Sequence, residues 1–507
     1  MAPHARSLRP SIPVKLFYLA LLAQGCGHSS AGGATPTGPD KSSSTDAELT
    51  AQGCDLGRAG TTYTAGANGS TATTAGADLV SCFHLTGQGA AETSLVVTND
   101  GTVLYAPTFE GIDVGLLRSH DQGVTWDFDV PKFPDGTEHG RPQPYMYRDP
   151  TTDRVFFSTS AVGGASVTYT SDAGATWSFV KVEPDSLDWM KIYAGPPVSS
   201  TTVGYPNIVY VSAPTPTSTP ISTILPDHQA FYKSLDGGAT FQEVSPISLK
   251  PADTPGCDPK EWVIAGNGTV AHDGTVYQSF RLCDKLGIAV SRDEGQTWTM
   301  HTVPGTSLDP ADVSSFGMLA QIIQHPNWLL TEVLAADDEG TLYAVWPDAS
   351  WTLRFAYSKD HAATWSTPIV VQAPGVTKSV YGAIAVKSPG HIAISYHGSV
   401  DGMAYDGYVA ESANALDAAP AFATITVNDS ADPLFSQGFD SGYAGTLSGG
   451  DLDELINVKY APNGDLWASF VEDMCPGVAT TTDNCTWDVA AHANTMFQGA
   501  IGRVVHH

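Results

Sequence analysis

Apolar residues in this chain come in short alternating runs, not in long helical stripes. Between Trp262 and Val303 an apolar segment, WVIAGNGTVA, meets the turn His272-Asp273-Gly274, and the runs TVYQSF, GIAVS and WTMHTV follow, separated by Gly- and Asp-containing turns. Alternation over such short runs predicts strands, and Gly with Asn or Asp supplies the positive-φ positions that hairpin turns need. The same order recurs along the chain, with first hairpins turning at Asn99-Asp100-Gly101, Asp149-Pro150, Pro206-Asn207, Asp338-Glu339-Gly340, Ser388-Pro389-Gly390 and Pro462-Asn463-Gly464. These turns predict seven antiparallel meanders, beginning near Ser94, Pro144, Leu187, Trp262, Glu332, Val380 and Leu455.

A lone meander leaves both of its faces uncovered, so such units must pack on one another. The expected fold is all-β, a β-propeller of four-stranded antiparallel blades, with seven blades preferred and six as the alternative. The last unit supplies only three clear strands, LINVKYA, DLWASFVE and MFQGAIGRVV. Its missing outer strand is expected from Ala77 to Leu85, which would close the ring by joining the two ends of the chain.

Five near-copies of one turn punctuate the units: SHDQGVTW, TSDAGATW, SLDGGATF, SRDEGQTW and SKDHAATW. Their carboxylates are Asp121, Asp172, Asp236, Asp293 and Asp360, which lie 51, 64, 57 and 67 residues apart. An active site is seldom built five times, so the repetition points to architecture. The Asp is expected to accept backbone N–H groups ahead of it, the Gly to allow positive φ, the Thr to add a second clamp, and the aromatic to pack against its blade. Ala362 stands where the other copies carry Gly, and is expected to strain that turn or to shift its geometry.

These boxes resemble those of the Asp-box, or BNR-repeat, propellers of the sialidase superfamily, from about residue 90 to 370. The resemblance implies the fold, and it implies glycan processing or recognition, although the same motif also marks other enzymes and non-catalytic binding proteins. Sialidases carry an Arg-Ile-Pro-type motif, three arginines for the substrate carboxylate, a Tyr-Glu nucleophile pair and an acid/base Asp. This chain has no Arg-Ile-Pro, and its nearest equivalent is Arg141-Pro142.

Composition adds the setting. Fifty-three acidic against 24 basic residues give a formal charge of −29, which disfavours nucleic acid and anionic membrane surfaces as partners. Arg6, Arg9 and Lys15 precede the apolar run LFYLALLA, which is too short to span a bilayer and has the layout of a secretory signal. It leads into LAQGC, similar to a bacterial lipoprotein processing site, with Cys26 as the lipidated residue. Residues 1–25 are thus expected to be a signal peptide, 26–50 a flexible tether, 51–92 an N-terminal segment carrying the ring-closing strand, and 93–507 the propeller. The expected location is the bacterial cell envelope, at the outer membrane or secreted, with the membrane touched only through the lipid.

Setting Cys26 aside leaves Cys54, Cys82, Cys257, Cys283, Cys475 and Cys485, an even set compatible with three disulfides. Pairing neighbours would join 54 with 82, 257 with 283 and 475 with 485, one of fifteen connectivities. No clustered His/Cys spacing suggests a metal site, and no cofactor is expected. Asp451, Asp453 and Glu454 form an oxygen-rich cluster suited to Ca²⁺ but lack an EF-hand pattern. His139, His228 and His397 share no ligand spacing.

Strand order divides the ring into two faces. First-to-second turns and boxes emerge on one, while nearly all the variation in loop length falls on the other, where function usually sits. Arg141, Arg281 and Arg354 map near that second face and could grip a carboxylate. Its carboxylates include the catalytic candidates Glu110, Asp227, Asp348 and Glu472, with Asp113, Glu261, Asp284, Asp401 and Asp473 nearby; a glycosidase needs two of them, or one with a Tyr nucleophile, around the scissile bond. Trp189, Trp328, Trp351 and Trp487 are candidates for stacking on a sugar ring. The sequence-based expectation is a monomeric propeller with a carbohydrate or cell-surface glycoconjugate partner, acting as a sialidase-like exo-glycosidase or recognising the glycan without cleaving it. A scaffold role and a polysaccharide lyase are the alternatives.

Overall fold

A computed structural model describes residues 44–90, 92–108, 115–129, 131, 144–161, 164–182, 190–215, 228–248, 264–282, 284–308, 331–436, 456–473, 487–488, 493–494 and 497–507. They form seven antiparallel blades. The inner strands are Glu92–Val97, Pro144–Arg148, Lys191–Gly195, Ile264–Val270, Leu334–Ala336, Lys378–Ser388 and Asn457–Tyr460. Each inner strand packs against that of the next blade, and the seventh returns to the first, so the ring is closed.

Blade seven is completed as expected. Its strands Asn457–Tyr460, Leu466–Asp473 and Phe497–His506 are joined on the outside by Leu79–Gly89, which pairs antiparallel with the C-terminal strand. A disulfide between Cys54 and Cys82 fastens the start of that outer strand. Cys26, Cys257, Cys283, Cys475 and Cys485 lie outside the described residues.

Two features of the N-terminal segment are additional to the expected plan. A short helix, Asp46–Ala51, opens on a capping box between Thr45 and Glu48. A hairpin, Gly60–Thr64 with Thr71–Ala77, adds to the outer strand of blade six and makes it a six-stranded sheet. No described helix is long and apolar enough to cross a membrane.

The core lies between blades. Leu95, Val97, Val103 and Tyr105 of blade one meet Trp467 and Ile501 of blade seven, and similar clusters fill the other junctions described. Each fully buried Leu, Val or Phe in such a layer contributes about 1.5–3 kcal/mol relative to exposure. The inner strands are also buttoned by side chains: Met146 N–H donates to Ser94 Oγ at 2.9 Å, Asn457 Nδ2 to Leu95 O at 3.1 Å, and Tyr193 OH to Gln278 Oε1 at 3.0 Å.

All five boxes share one hydrogen-bond pattern. In the fourth, Thr297 N–H and hydroxyl donate to the two oxygens of Asp293 at 2.8 and 2.6 Å, Ser291 Oγ donates to Asp293 at 2.8 Å, and Gly295 N–H donates to Ser291 Oγ at 2.8 Å. Burial alone would raise the Asp293 carboxyl, but the Thr297 donors and the Ser291 hydroxyl outweigh it and lower the pKa. The box with Ala362 keeps the pattern and carries the first of its two expected outcomes, a strained backbone. Its bonds match the others, with Thr364 donating at 2.8 and 2.6 Å and Ala362 N–H donating at 2.9 Å, while Ala362 itself takes φ 65°. The turn keeps its geometry and the strain stays in one backbone torsion, because the surrounding bonds over-determine the loop.

The sixth blade carries none of the five boxes, yet part of their hydrogen-bond pattern is present there. Ser412 Oγ donates to Asn414 Oδ1 at 3.2 Å, which also accepts Ala421 N–H at 2.9 Å. Asn414 stands where the other boxes carry Asp.

Each box also leans on the preceding blade. A Cβ on Gly123 would meet Trp467 of blade seven, one on Gly174 would meet Leu104 of blade one, and one on Gly295 would meet Val244 of blade three. The fourth box goes further through Glu294, which is fully buried. It accepts the N–H groups of Val198, Ser199 and Ser200 at 2.7–3.0 Å and Lys233 Nζ at 2.9 Å, all from blade three. Burial pushes this carboxyl up, but the Ser200 hydroxyl and the Ser199 and Ser200 N–H groups outweigh burial and hold its pKa at about 2.

Candidate functional site

An inner strand ends in the first-to-second turn on the box face, so its beginning lies on the opposite face. Glu332 stands at one such beginning and meets Tyr145, the second residue of the inner strand of blade two, and Lys459, the third of four in that of blade seven. Glu332, just before the inner strand of blade five, accepts Lys459 Nζ of blade seven at 2.6 and 2.5 Å and Tyr145 OH of blade two at 3.0 Å. Lys191, opening the inner strand of blade three, places its ammonium 4.7 Å from the Tyr145 ring centroid. Blades two, five and seven are not neighbours, so these contacts can form only across the axis.

The backbone fixes Glu332 firmly. Its carbonyl accepts Ile384 N–H of blade six at 2.9 Å, and Thr331 Oγ1 donates to Gly382 O at 2.6 Å. Glu332 is 5% exposed and Tyr145 is 7% exposed, while the Lys459 side chain retains 24%. The cluster therefore touches solvent chiefly through the lysine. Burial raises the Tyr145 phenol well above its ordinary value, and the neighbouring Glu332 charge raises it further.

Several residues expected to act from sequence are placed elsewhere. Asp348 accepts Arg354 Nε at 2.7 Å and Ser350 N–H at 2.8 Å, and Arg354 also donates to Ala67 O at 3.0 Å, on the outer flank of blade five. Burial pushes the Asp348 carboxyl up, but the Ser350 hydroxyl and Arg354 outweigh burial and lower its pKa. Trp351, at φ 64°, carries Lys378 Nζ 4.9 Å from its ring centroid, and its carbonyl accepts Ser379 N–H at 2.8 Å. Arg281 is buried in the second strand of blade four. Glu472 is buried in the second strand of blade seven and accepts Gln498 Nε2 at 2.8 Å.

Asp284 lies 3.1 Å from Lys285 Nζ, and Asp401 accepts the N–H groups of Met403 and Ala404. His397 is fully buried between the rings of Phe435 and Phe470, and burial lowers its pKa to about 3. Arg141, Glu110, Asp113, Asp227, Glu261, Trp189, Trp328, His139, Asp451, Asp453 and Glu454 lie outside the described residues, as do the side chains of Asp473 and Trp487. Among the described residues, no group of three His, Cys, Asp or Glu side chains is arranged to hold a metal ion.

The axial cluster escaped the sequence reading, which weighed loop residues. Its one signal was positional: Tyr145, Glu332 and Lys459 sit in or just before the first strands of units two, five and seven, where a ring brings side chains to its centre.

No protein-family model matches the chain. The chain is similar to a xyloglucanase of Acetivibrio thermocellus, 27% identical over 267 residues, or 49% of this chain and 28% of that enzyme. The chain thus spans little more than a quarter of the length of the relative it matches. Among solved structures, the intramolecular trans-sialidase from Ruminococcus gnavus aligns with a TM-score of 0.39 and 13% identity, covering 82% of this chain and 94% of that one. The α-L-arabinofuranosidase of Fusarium graminearum aligns with a TM-score of 0.38 and 14% identity, covering 66% and 93%.

Proposed function

We propose that this propeller recognises a carbohydrate at its axial mouth, on the face opposite the boxes, over a floor made by Glu332, Lys459 and Tyr145. The observation that carries the reading is the meeting of a carboxylate, an ammonium and a phenol from three non-adjacent blades. Such convergent donors and acceptors suit sugar hydroxyls at the mouth of a pocket. The similarity to a xyloglucanase across 49% of the chain supports a glycan as the ligand class.

Cleavage by a sialidase-like exo-glycosidase is the second reading, and the Tyr145–Glu332 contact at 3.0 Å is the observation behind it. Recognition is preferred because the phenol is pushed up, where a nucleophile would need it lowered, and because Glu332 is neutralised by Lys459. Placement at the bacterial cell surface through lipidated Cys26 belongs to the same proposal.

Calorimetry with xyloglucan oligosaccharides, sialylated and neutral glycans, run beside a chromogenic glycoside panel, tests it. Binding without turnover is expected, and Glu332→Gln is expected to weaken it about tenfold or more, the worth of one charge-assisted hydrogen bond. Turnover that is lost in Tyr145→Phe would favour the exo-glycosidase. Unsaturated products would favour a lyase. Neither binding nor turnover on any sugar would leave the scaffold reading standing.

A further inference from the structure

Asn-Gly pairs occur in the sequence at Asn68-Gly69, Asn267-Gly268 and Asn463-Gly464. In such a pair the backbone nitrogen of the glycine can approach the side-chain carbonyl carbon of the asparagine, because no Cβ stands in the way. Whether the two meet depends on how firmly the fold holds the amide.

Two of the pairs are locked. Asn267 is 3% exposed, its Nδ2 donates to Leu334 O at 2.8 Å, its Oδ1 accepts Leu334 N–H at 3.1 Å, and a Cβ on Gly268 would run into the Tyr193 ring. Asn463 Nδ2 donates to Asp465 Oδ2 at 2.9 Å, its Oδ1 accepts Asp465 N–H at 3.2 Å, and the buried Gly464 donates its N–H to Ala461 O at 2.9 Å.

Asn68 is held by nothing comparable. It is exposed in the turn between Gly60–Thr64 and Thr71–Ala77, and among the described residues its amide makes no hydrogen bond. Gly69 has open space where a Cβ would stand, and its N–H reaches Gly66 O only at 3.3 Å. We propose that Asn68 is a site of self-modification. The Gly69 nitrogen bonds to Asn68 Cγ, the Cγ–Nδ2 bond breaks, and the Gly69 N–H proton leaves with the amide nitrogen as ammonia. Water then opens the cyclic imide at either carbonyl, giving aspartate or isoaspartate with no oxidant or reductant involved.

The change alters a contact between blades. Residues 59–77 hold no Asp, Glu, Lys or Arg, so the product carries the first charge in the hairpin. Its turn rests on blade five, where Val370 N–H donates to Gly66 O at 2.8 Å and Arg354 Nη1 to Ala67 O at 3.0 Å. Isoaspartate adds one carbon to the backbone inside that turn and loosens its hold on blade five.

Intact protein aged at mildly alkaline pH, then digested for mass spectrometry, tests the proposal. The peptide with Asn68 is expected to gain one mass unit, divided between two separable isomers, while those with Asn267 and Asn463 lag about tenfold or more because local opening must come first. In urea, where no amide is held, the three are expected to react at similar rates. Hydrogen exchange at the Val370 amide is expected to quicken in aged wild type, and not in Asn68→Ser aged alike and melting as the fresh protein does. An unmodified Asn68, equal rates for the three pairs in the folded chain, the same ranking in urea, or Val370 exchange indifferent to ageing would overturn the inference.

Discussion

Blades one to five and blades six and seven are held together by different means. In the first group each outer hairpin is closed by its own Asp box, a local device of eight residues repeated with the same bonds. In the second the box is degenerate or gone, and long-range contacts replace it. Arg503 is paired with Asp465, both nearly fully buried, with Nε donating at 2.8 Å. Glu411 of blade six receives His391 and His506 at 2.7 Å each and Tyr460 OH at 3.1 Å. Burial raises the Glu411 carboxyl, but the two imidazoles outweigh burial and hold it at about 2. Repetition makes the boxed arc tolerant of single losses, whereas the closure depends on a few contacts between distant parts of the chain.

The largest effect is therefore expected at the closure. Asp465→Ala leaves a buried guanidinium without its carboxylate and should cost about 3–5 kcal/mol in denaturant unfolding. If a box aspartate costs as much, the contrast fails. Replacing Cys54 and Cys82 together by Ser should cost about 2–4 kcal/mol, and reducing agent should lower the melting temperature of the wild type but not of that variant.

Within the fourth box, Glu294→Gln should cost more than Asp293→Ala, about 2–3 against about 1 kcal/mol, because the former strands buried donors from another blade. Glu294 also has a pH signature. Its folded pKa of about 2 lies below its ordinary 4.5, so its contribution is complete above 4.5 and lost as pH falls from there towards 2. Unfolding measured across that window should show a shallower slope in Glu294→Gln. The smallest change is expected from Ala362→Gly, which relieves a non-glycine residue at φ 65° and should stabilise by up to about 1 kcal/mol. A loss of stability there would mean that the packing of the Ala362 methyl outweighs the torsion.

Much of the fold was legible because its signals are local. Turn residues and boxes counted the units, and the three-stranded last unit pointed to a ring-closing strand, which runs Leu79–Gly89. The added hairpin was not legible, since Thr and Ala alternate there without an apolar face to mark a strand. The half-kept sixth box was hidden by Asn414 in place of Asp. At the site, loop carboxylates and tryptophans drew attention, yet the described ones make local bonds, as Asp348 does with Arg354. Glu332, Tyr145 and Lys459 carry no motif, and only the ring brings them together.

Sequence by itself determined the repeat unit, its turns, the acidic surface and the need for units to cover one another. Those follow from side-chain periodicity and backbone torsion, which act over a few residues. Tertiary structure decided which charges meet. The Tyr145–Glu332–Lys459 floor and the Glu294 bridge to blade three both depend on distances between segments tens to hundreds of residues apart. Those distances are set by closing the ring, and no single stretch of chain encodes them.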